Sequence, residues 1–241
     1  MRIVRRIWAF STVLLALLLL FPIANRATRV LTVIGIALVW GGALVVCKRH
    51  RVARTFLLLI SVAVFSLFLM PGRSADTNAL RADYCRGLQL YIGDRYVWGG
   101  EGYFGIDCSG LVRKGLVWGQ LISGVRGMNG GPLRNAIALW WHDCSAKELL
   151  GGFRGWTRVL FTSSSIDETD HSTLQPGDLA VTADGAHVLA YLGKATWIEA
   201  DPIIGNVVEV SVPTENPWFN QPVVFIRWSW LEDRRSVQTH S

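Results

Sequence analysis

Three long apolar runs open the chain, and short alternating ones close it. Ile7 to Ala24, Val30 to Val46 and Ala53 to Met70 each hold 17 or 18 almost wholly apolar residues. A helix of about 17–25 such residues covers the hydrocarbon core of a bilayer, so three membrane spans are expected within residues 1–74. From Leu174 onward the texture changes. The pieces "DLAVTA", "AHVLAYLG", "TWIEAD", "NVVEVSV" and "VVFIRW" alternate β-branched and aromatic residues with polar ones, and Gly, Pro or Asp bounds each piece. That is the period of half-buried strands.

Between these regions the pattern is helical and then broken. "PGRSADTN" reads as a linker, with Asp76, Thr77 or Asn78 available as a helix cap. Leu80, Tyr84, Leu88 and Tyr91 follow at three- and four-residue spacing, predicting a helix over 79–91. "GDRYVWGGEGYFG" is a glycine-rich loop, and the run from Leu111 to Leu121 resumes a helical pattern. Residues 119–173 are harder to read. A helix is expected after Pro132, a second short one before Gly151, and an exposed polar loop at "TSSSIDETDHST". The tail "EDRRSVQTHS" is expected to be mobile. Helices followed by consecutive strands predict an α+β domain over 75–241, with helices packed on a mostly antiparallel sheet.

Charge refines this division. Residues 1–74 hold ten Lys/Arg and no acid, while the rest holds fourteen Lys/Arg and all eighteen acids. The net +6 therefore belongs to the apolar third and gives no support to nucleic-acid binding. Seven of those ten charges sit at the N-terminus (Arg2, Arg5, Arg6) and in the second connector (Lys48, Arg49, Arg51, Arg54). Positive charge marks the cytoplasmic side. Three spans would then leave residues from about 72 onward outside the cytoplasm, tethered to the bilayer. The spans contain no central acid or base, which argues against a transporter.

The candidate chemistry centres on "GIDCSGLVRKGL", Gly105 to Leu116. Cys108 stands between Asp107 and Ser109 where a helix is expected to begin. A helix N-terminus favours a negative charge such as a thiolate, the nucleophilic form of cysteine. Alone, such a cysteine is more often a buried structural thiol. A base would change that reading. His142 reads as a surface helix position, His171 and His240 as solvated. His187 opens the strand "HVLAYLG" after the turn "TADGA", at a sheet edge. Glu199 and Asp201, on the next strand, share a face by the two-residue period, and either could orient the imidazole. Glu199 is preferred because the hairpin turn lies nearly midway between it and His187. Cys85, Cys108 and Cys144 cannot all pair with one another, and the sequence allows a Cys85–Cys144 bridge without supplying its geometry. No Cys/His cluster has metal-ligand spacing, so no metal or cofactor is implied.

Taken together, "YVWGGEGYFGIDCSGLVRKGL", "LQPGDLAVTADGAHVLAYLG" and "WIEA", in that order, resemble the NlpC/P60 cysteine peptidase family over about residues 79–212. The resemblance implies a papain-like core, with Cys108 as nucleophile and His187 as general base. It implies that Tyr96 binds substrate or assists the oxyanion, and that Asp107 and Ser109 bind the amino end of a peptide. The implied substrate is the stem peptide of peptidoglycan. Two departures stand out. Glu199 falls where the family more often carries His, Asn or Gln, and residues 119–173 form an insertion that lengthens the Cys108-to-His187 interval. Trp140, Trp141 and Trp156 of that insertion are candidate cleft-wall aromatics, with core packing the more common role for such residues. The alternatives are a non-catalytic, membrane-anchored wall-binding module and an amidase or acyltransferase on another amide.

Overall fold

The computed structural model describes residues 2–232. His240 and, after Glu232, the rest of the tail expected to be mobile lie outside the described residues. Helices α1 (Arg2–Leu20), α2 (Arg26–Val46) and α3 (Arg51–Leu69) coincide with the three apolar runs. Each is long and apolar enough to cross a membrane. The first differs from its expected span, starting earlier and stopping at Leu20, because Pro22 cannot continue a helical hydrogen-bond ladder. Asn25 then caps α2 in a reciprocal box with Thr28 (Thr28 N–H to Asn25 Oδ1 3.0 Å, Asn25 N–H to Thr28 Oγ1 2.8 Å).

Beyond the linker lie α4 (Thr77–Gln89), α5 (Cys108–Arg126), α6 (Gly130–Trp141) and α7 (Ala146–Leu150). Of the three possible caps for α4, Asp76 serves, taking the Asn78 and Ala79 N–H groups. α4 and α5 pack closely because Gly87 faces Gly115. A Cβ at Gly87 would come within 2.6 Å of the Gly115 carbonyl oxygen. The glycine-rich loop carries a two-residue hairpin, β1 (Glu101–Gly102) and β2 (Gly105–Ile106).

The main sheet contains β3 (Thr157–Ser163), β4 (Leu179–Thr182), β5 (Val188–Gly193), β6 (Thr196–Asp201), β7 (Asn206–Ser211) and β8 (Val223–Trp228). Its order is β3-β8-β4-β5-β6-β7, every pair antiparallel. The α+β architecture is therefore the expected one, with helices on an antiparallel sheet. Strand alternation divides the core in two. Leu179, Val181, Val188, Ala190, Ile198 and Ala200 face α4 and α5, meeting Leu80, Tyr84, Leu88, Leu111 and Leu116. Ala180, Leu189, Tyr191, Trp197 and Phe225 form a second cluster on the opposite face with Ile166, Leu174 and Phe219.

The segment 119–173 departs most from expectation. It supplies an unforeseen edge strand, β3. Its polar stretch is not simply an exposed loop, because Ile166 and Leu174 are buried under the second face. His171, expected to be solvated, accepts a hydrogen bond from Trp197 Nε1 at 3.1 Å and packs against Tyr191. His142 caps α6, its Nδ1 2.9 Å from the Ala138 carbonyl. Among the described residues all four cysteines are free, so no Cys85–Cys144 bridge forms.

Candidate active site

Cys108 is the first residue of α5, and Asp107 is its cap. Asp107 Oδ1 accepts the Gly110 N–H (2.6 Å) and the Ser109 hydroxyl (2.9 Å), and Oδ2 accepts the Gly99 N–H (2.8 Å). The carboxylate thus ties the glycine loop to the helix start. Gly110 is required here, since a Cβ would lie 2.4 Å from the Gly100 carbonyl oxygen. The Cys108 N–H, in the first turn, has no intrahelical acceptor and points outward from the helix end.

His187 immediately precedes β5 and is fixed by its turn. Its N–H donates to Thr182 Oγ1 (3.0 Å), whose hydroxyl donates to Asp184 Oδ1 (2.6 Å). The ring stacks on Trp218, with centroids 4.3 Å apart and planes 26° from parallel. Its Nε2 lies 2.6 Å from Glu199 Oε2, both side chains fully buried. With Nε2 committed to Glu199, Nδ1 is the ring nitrogen left for the Cys108 thiol, which lies near enough to raise the imidazole pKa.

Of Glu199 and Asp201, it is Glu199 that meets His187, for reasons of side-chain length and competing partners. β5 pairs Ala190 with Ile198 and Tyr191 with Trp197. Continuing that register sets His187 opposite Asp201 and Leu189 opposite Glu199. Glu199 therefore reaches His187 along the diagonal, as a long side chain can. Asp201 Oδ1 is held instead by the N–H groups of Ile203 (2.6 Å) and Ile204 (3.0 Å). Asn216, which the sequence reading did not single out, bridges the two acids by donating to Glu199 Oε1 (2.8 Å) and Asp201 Oδ2 (3.1 Å). Asn216 and Trp218 sit some thirty residues beyond His187 in a turn with no recognisable motif, so nothing in the sequence pointed to them.

Electrostatics follow from burial and pairing. Burial works against a charged His187, yet the nearby Cys108 and Glu199 outweigh it and hold the pKa up to about 9. Burial raises the Glu199 carboxyl, with His187 and Asn216 opposing the shift. Burial likewise raises the Tyr96 hydroxyl, assisted by Cys108 and Asp107 nearby. Cys85 and Cys144 are pushed up by burial to about 11 and 12.

A cavity of about 450 Å³ opens at Cys108, lined by Tyr96, Trp98, Gly99, Glu101, Asp107, Ser109, Gly185 and Ala186. Its remaining wall, Asp143–Ala146 and Glu148, comes from the insertion. Trp140, Trp141 and Trp156 are not among the lining residues, and Trp156 packs instead with Phe153 and Trp230 against the helix-side core. Four carboxylates, Glu101, Asp107, Asp143 and Glu148, line the cavity as a whole, and no Lys or Arg does. A larger cavity, about 740 Å³, lies apart from Cys108 between residues 73–78, Gln120 and Trp230. Among the described residues, no group of three or more His, Cys, Asp or Glu is arranged to hold a metal.

A thiol, an imidazole and a buried carboxylate in sequence are the components of nucleophilic chemistry on an acyl group. No family model matches the chain, and no curated protein does. Solved structures of NlpC/P60 proteins do align with it. NlpC1 from Trichomonas vaginalis is 18% identical over 67% of this chain and 46% of its own, with a TM-score of 0.41. The peptidoglycan hydrolase RipB from Mycobacterium tuberculosis is 20% identical over 61% and 64%, at 0.38. The P60 domain of an antigen from M. avium subspecies paratuberculosis is 19% identical over 65% and 98%, at 0.40. The chain spans about half to two thirds of the length of the first two. All three TM-scores lie below 0.5, so the chemistry of the site rests on its own side chains.

Proposed function

We propose that the protein is a membrane-anchored cysteine peptidase that hydrolyses amide bonds in peptidoglycan stem peptides outside the cytoplasm. The observation that carries the chemistry is the grouping of Cys108, His187 and Glu199, with the thiol at the start of a helix and on the wall of a cavity. The substrate class is suggested by the sequence motifs, and RipB, among the aligned structures, is a peptidoglycan hydrolase. Glu101 and Asp143 are paired with arginines, which leaves Asp107 and Glu148 as the uncompensated acids of the cavity. These suit a peptide that carries a free amino group, for which Asp107 and Ser109 are the candidate contacts.

In the proposed reaction His187, its pKa held up to about 9, already carries the Cys108 proton at Nδ1, so the sulfur attacks the amide carbonyl as a thiolate. The outward Cys108 N–H, with the Tyr96 hydroxyl, stabilises the negative oxygen. The imidazolium gives its proton to the leaving amine, and a thioester remains. His187 then deprotonates a water that attacks the thioester and returns the proton to the departing thiolate. Glu199 stays ionised throughout, holds Nε2–H and supports the positive ring. Tethering by α1–α3 confines the reaction to wall near the membrane.

The test uses the full chain in lipid nanodiscs, with and without Cys108→Ala, incubated with muropeptides and read by mass spectrometry. New amine and carboxyl termini from the parent alone are expected. Equal products from both, or none from several wall types, would sink the peptidase reading.

A further inference from the structure

The connector between α1 and α2 is built into the candidate active site. Ala24 N–H donates to the Gly99 carbonyl and Glu101 N–H to the Pro22 carbonyl, both at 2.9 Å, with Ile23 bridging Gly100 in antiparallel fashion. The connector thus pairs with the glycine loop through one antiparallel bridge flanked by two hydrogen bonds. Gly99 N–H in turn holds Asp107, and the Gly100 carbonyl accepts the Asp107 N–H at 3.1 Å. Two layers of hydrogen bonds therefore link the end of a membrane helix to the residue that caps Cys108.

A buried charge locks the same place. Arg29, in the first turn of α2, is only 3% exposed, although it belongs to an apolar helix. Its Nη2 lies 2.6 Å from Glu101 Oε1 and its Nη1 lies 3.5 Å from the Trp141 carbonyl. Arg113 of α5 meets the same Glu101 oxygen at 2.7 Å and Asp143 at 2.5 Å. Glu101 and Asp143 both line the cavity. One arginine from the membrane segment therefore clamps together the glycine loop and the insertion, the two walls that flank the thiol. Two positive and two negative charges balance in the cluster, so removing Arg29 would leave a buried carboxylate underpaired.

We infer that Arg29 is a positioning residue, and that seating the α1–α2 connector on the glycine loop sets the geometry of Cys108. The membrane anchor is then part of the catalytic scaffold and not only a tether. The inference rests on Cys108 being the nucleophile of the proposed function. It requires no particular substrate.

The test measures how fast iodoacetamide alkylates Cys108 in the full chain in nanodiscs, resolved by peptide mass spectrometry. Wild type, Arg29→Gln and Arg29→Lys are compared, with Cys85 of α4 as an internal reporter of unfolding. A misplacement of about 1 Å at a reacting group costs on the order of 10²-fold in rate. Arg29→Gln should therefore slow Cys108 by about tenfold or more, taking the lower part of that range. Arg29→Lys, which keeps the charge beside Glu101, should recover part of the rate, and Cys85 should stay slow in all three. A wild-type rate in Arg29→Gln would overturn the inference. So would a lysine variant no faster than the glutamine one, or Cys85 labelling that rises with the substitution. Because alkylation needs no peptide, failure to cleave muropeptides would undo the proposed function and leave this result readable.

Discussion

Replacing Glu199 with Gln removes one charge from the buried line and leaves its volume almost unchanged. In the native arrangement Oε2 meets His187 Nε2 at 2.6 Å and Oε1 accepts Asn216 Nδ2 at 2.8 Å. Glutamine has one oxygen and one NH2 for these two places. With its oxygen toward His187, its NH2 faces the Asn216 NH2, donor against donor. Turned over, its NH2 faces Nε2 and drives the imidazole to the tautomer protonated on Nδ1, which cannot take the Cys108 proton. A hydrogen bond to a charged group contributes about 1.5–3 kcal/mol, or roughly 10- to 150-fold. A wrong tautomer in a nucleophilic triad costs about 10⁴ in kcat. The expected loss is therefore about 10²–10⁴ in kcat, with the fold intact. The same substitution changes pH dependence. His187 is held up to about 9, above its ordinary 6.5. Its contribution to stability is thus fully present below pH 6.5 and is lost as pH rises through about 9. The thermal midpoint of the wild type should fall across that window, and that of Glu199→Gln should change less. Both are measured on the full chain in nanodiscs, by muropeptide turnover and by thermal unfolding. A variant that keeps kcat within about threefold, a barrier change under about 1 kcal/mol, would refute the orienting role of Glu199.

Two further substitutions separate packing from chemistry. Trp218→Ala removes the ring stacked on His187, a contact that contributes about 0.5–1.5 kcal/mol. It should lower kcat by up to about tenfold with little change in KM, and an unchanged kcat would make the stack mere packing. Asp178 is not among the residues lining the Cys108 cavity and is fully buried, with Arg227 Nε and Nη2 each 2.6 Å from its oxygens and the Gln175 N–H at 2.8 Å. Asp178→Asn turns a donor toward that guanidinium and should cost about 3–5 kcal/mol of stability, the range for breaking a buried ion pair. Below the lowered melting temperature, Cys108 should still alkylate at the wild-type rate, and a slowed thiol would mean that Asp178 also shapes the site.

Much of the molecule was legible along the chain because its signals are local and periodic. Three apolar runs predicted three helices, and even the shortened end of α1 follows from Pro22. The alternation in "TWIEAD" placed Glu199 and Asp201 on one face, and the motif around Cys108 placed the thiol at a helix start. Local pattern could not say which acid meets His187. That depended on the register of β5 with β6 and on Asp201 being occupied by the turn at Ile203 and Ile204. Nor could it find Asn216 and Trp218, which reach the site only when the chain after β7 folds back over the second sheet face. The polar stretch at 162–173 read as exposed because Ile166 within it and Leu174 just after it stand isolated among polar neighbours and gain their burial from distant strands. Arg29 is the clearest case. In sequence it is one of two arginines in a short basic connector, with no partner within seventy residues. Only tertiary structure brings Glu101, Arg113 and Asp143 to it, because a buried charge is specified by what surrounds it in space. Periodicity along the chain thus determined which elements form and which face each presents. The long-range contacts that close the loops between them decided which side chains share the site.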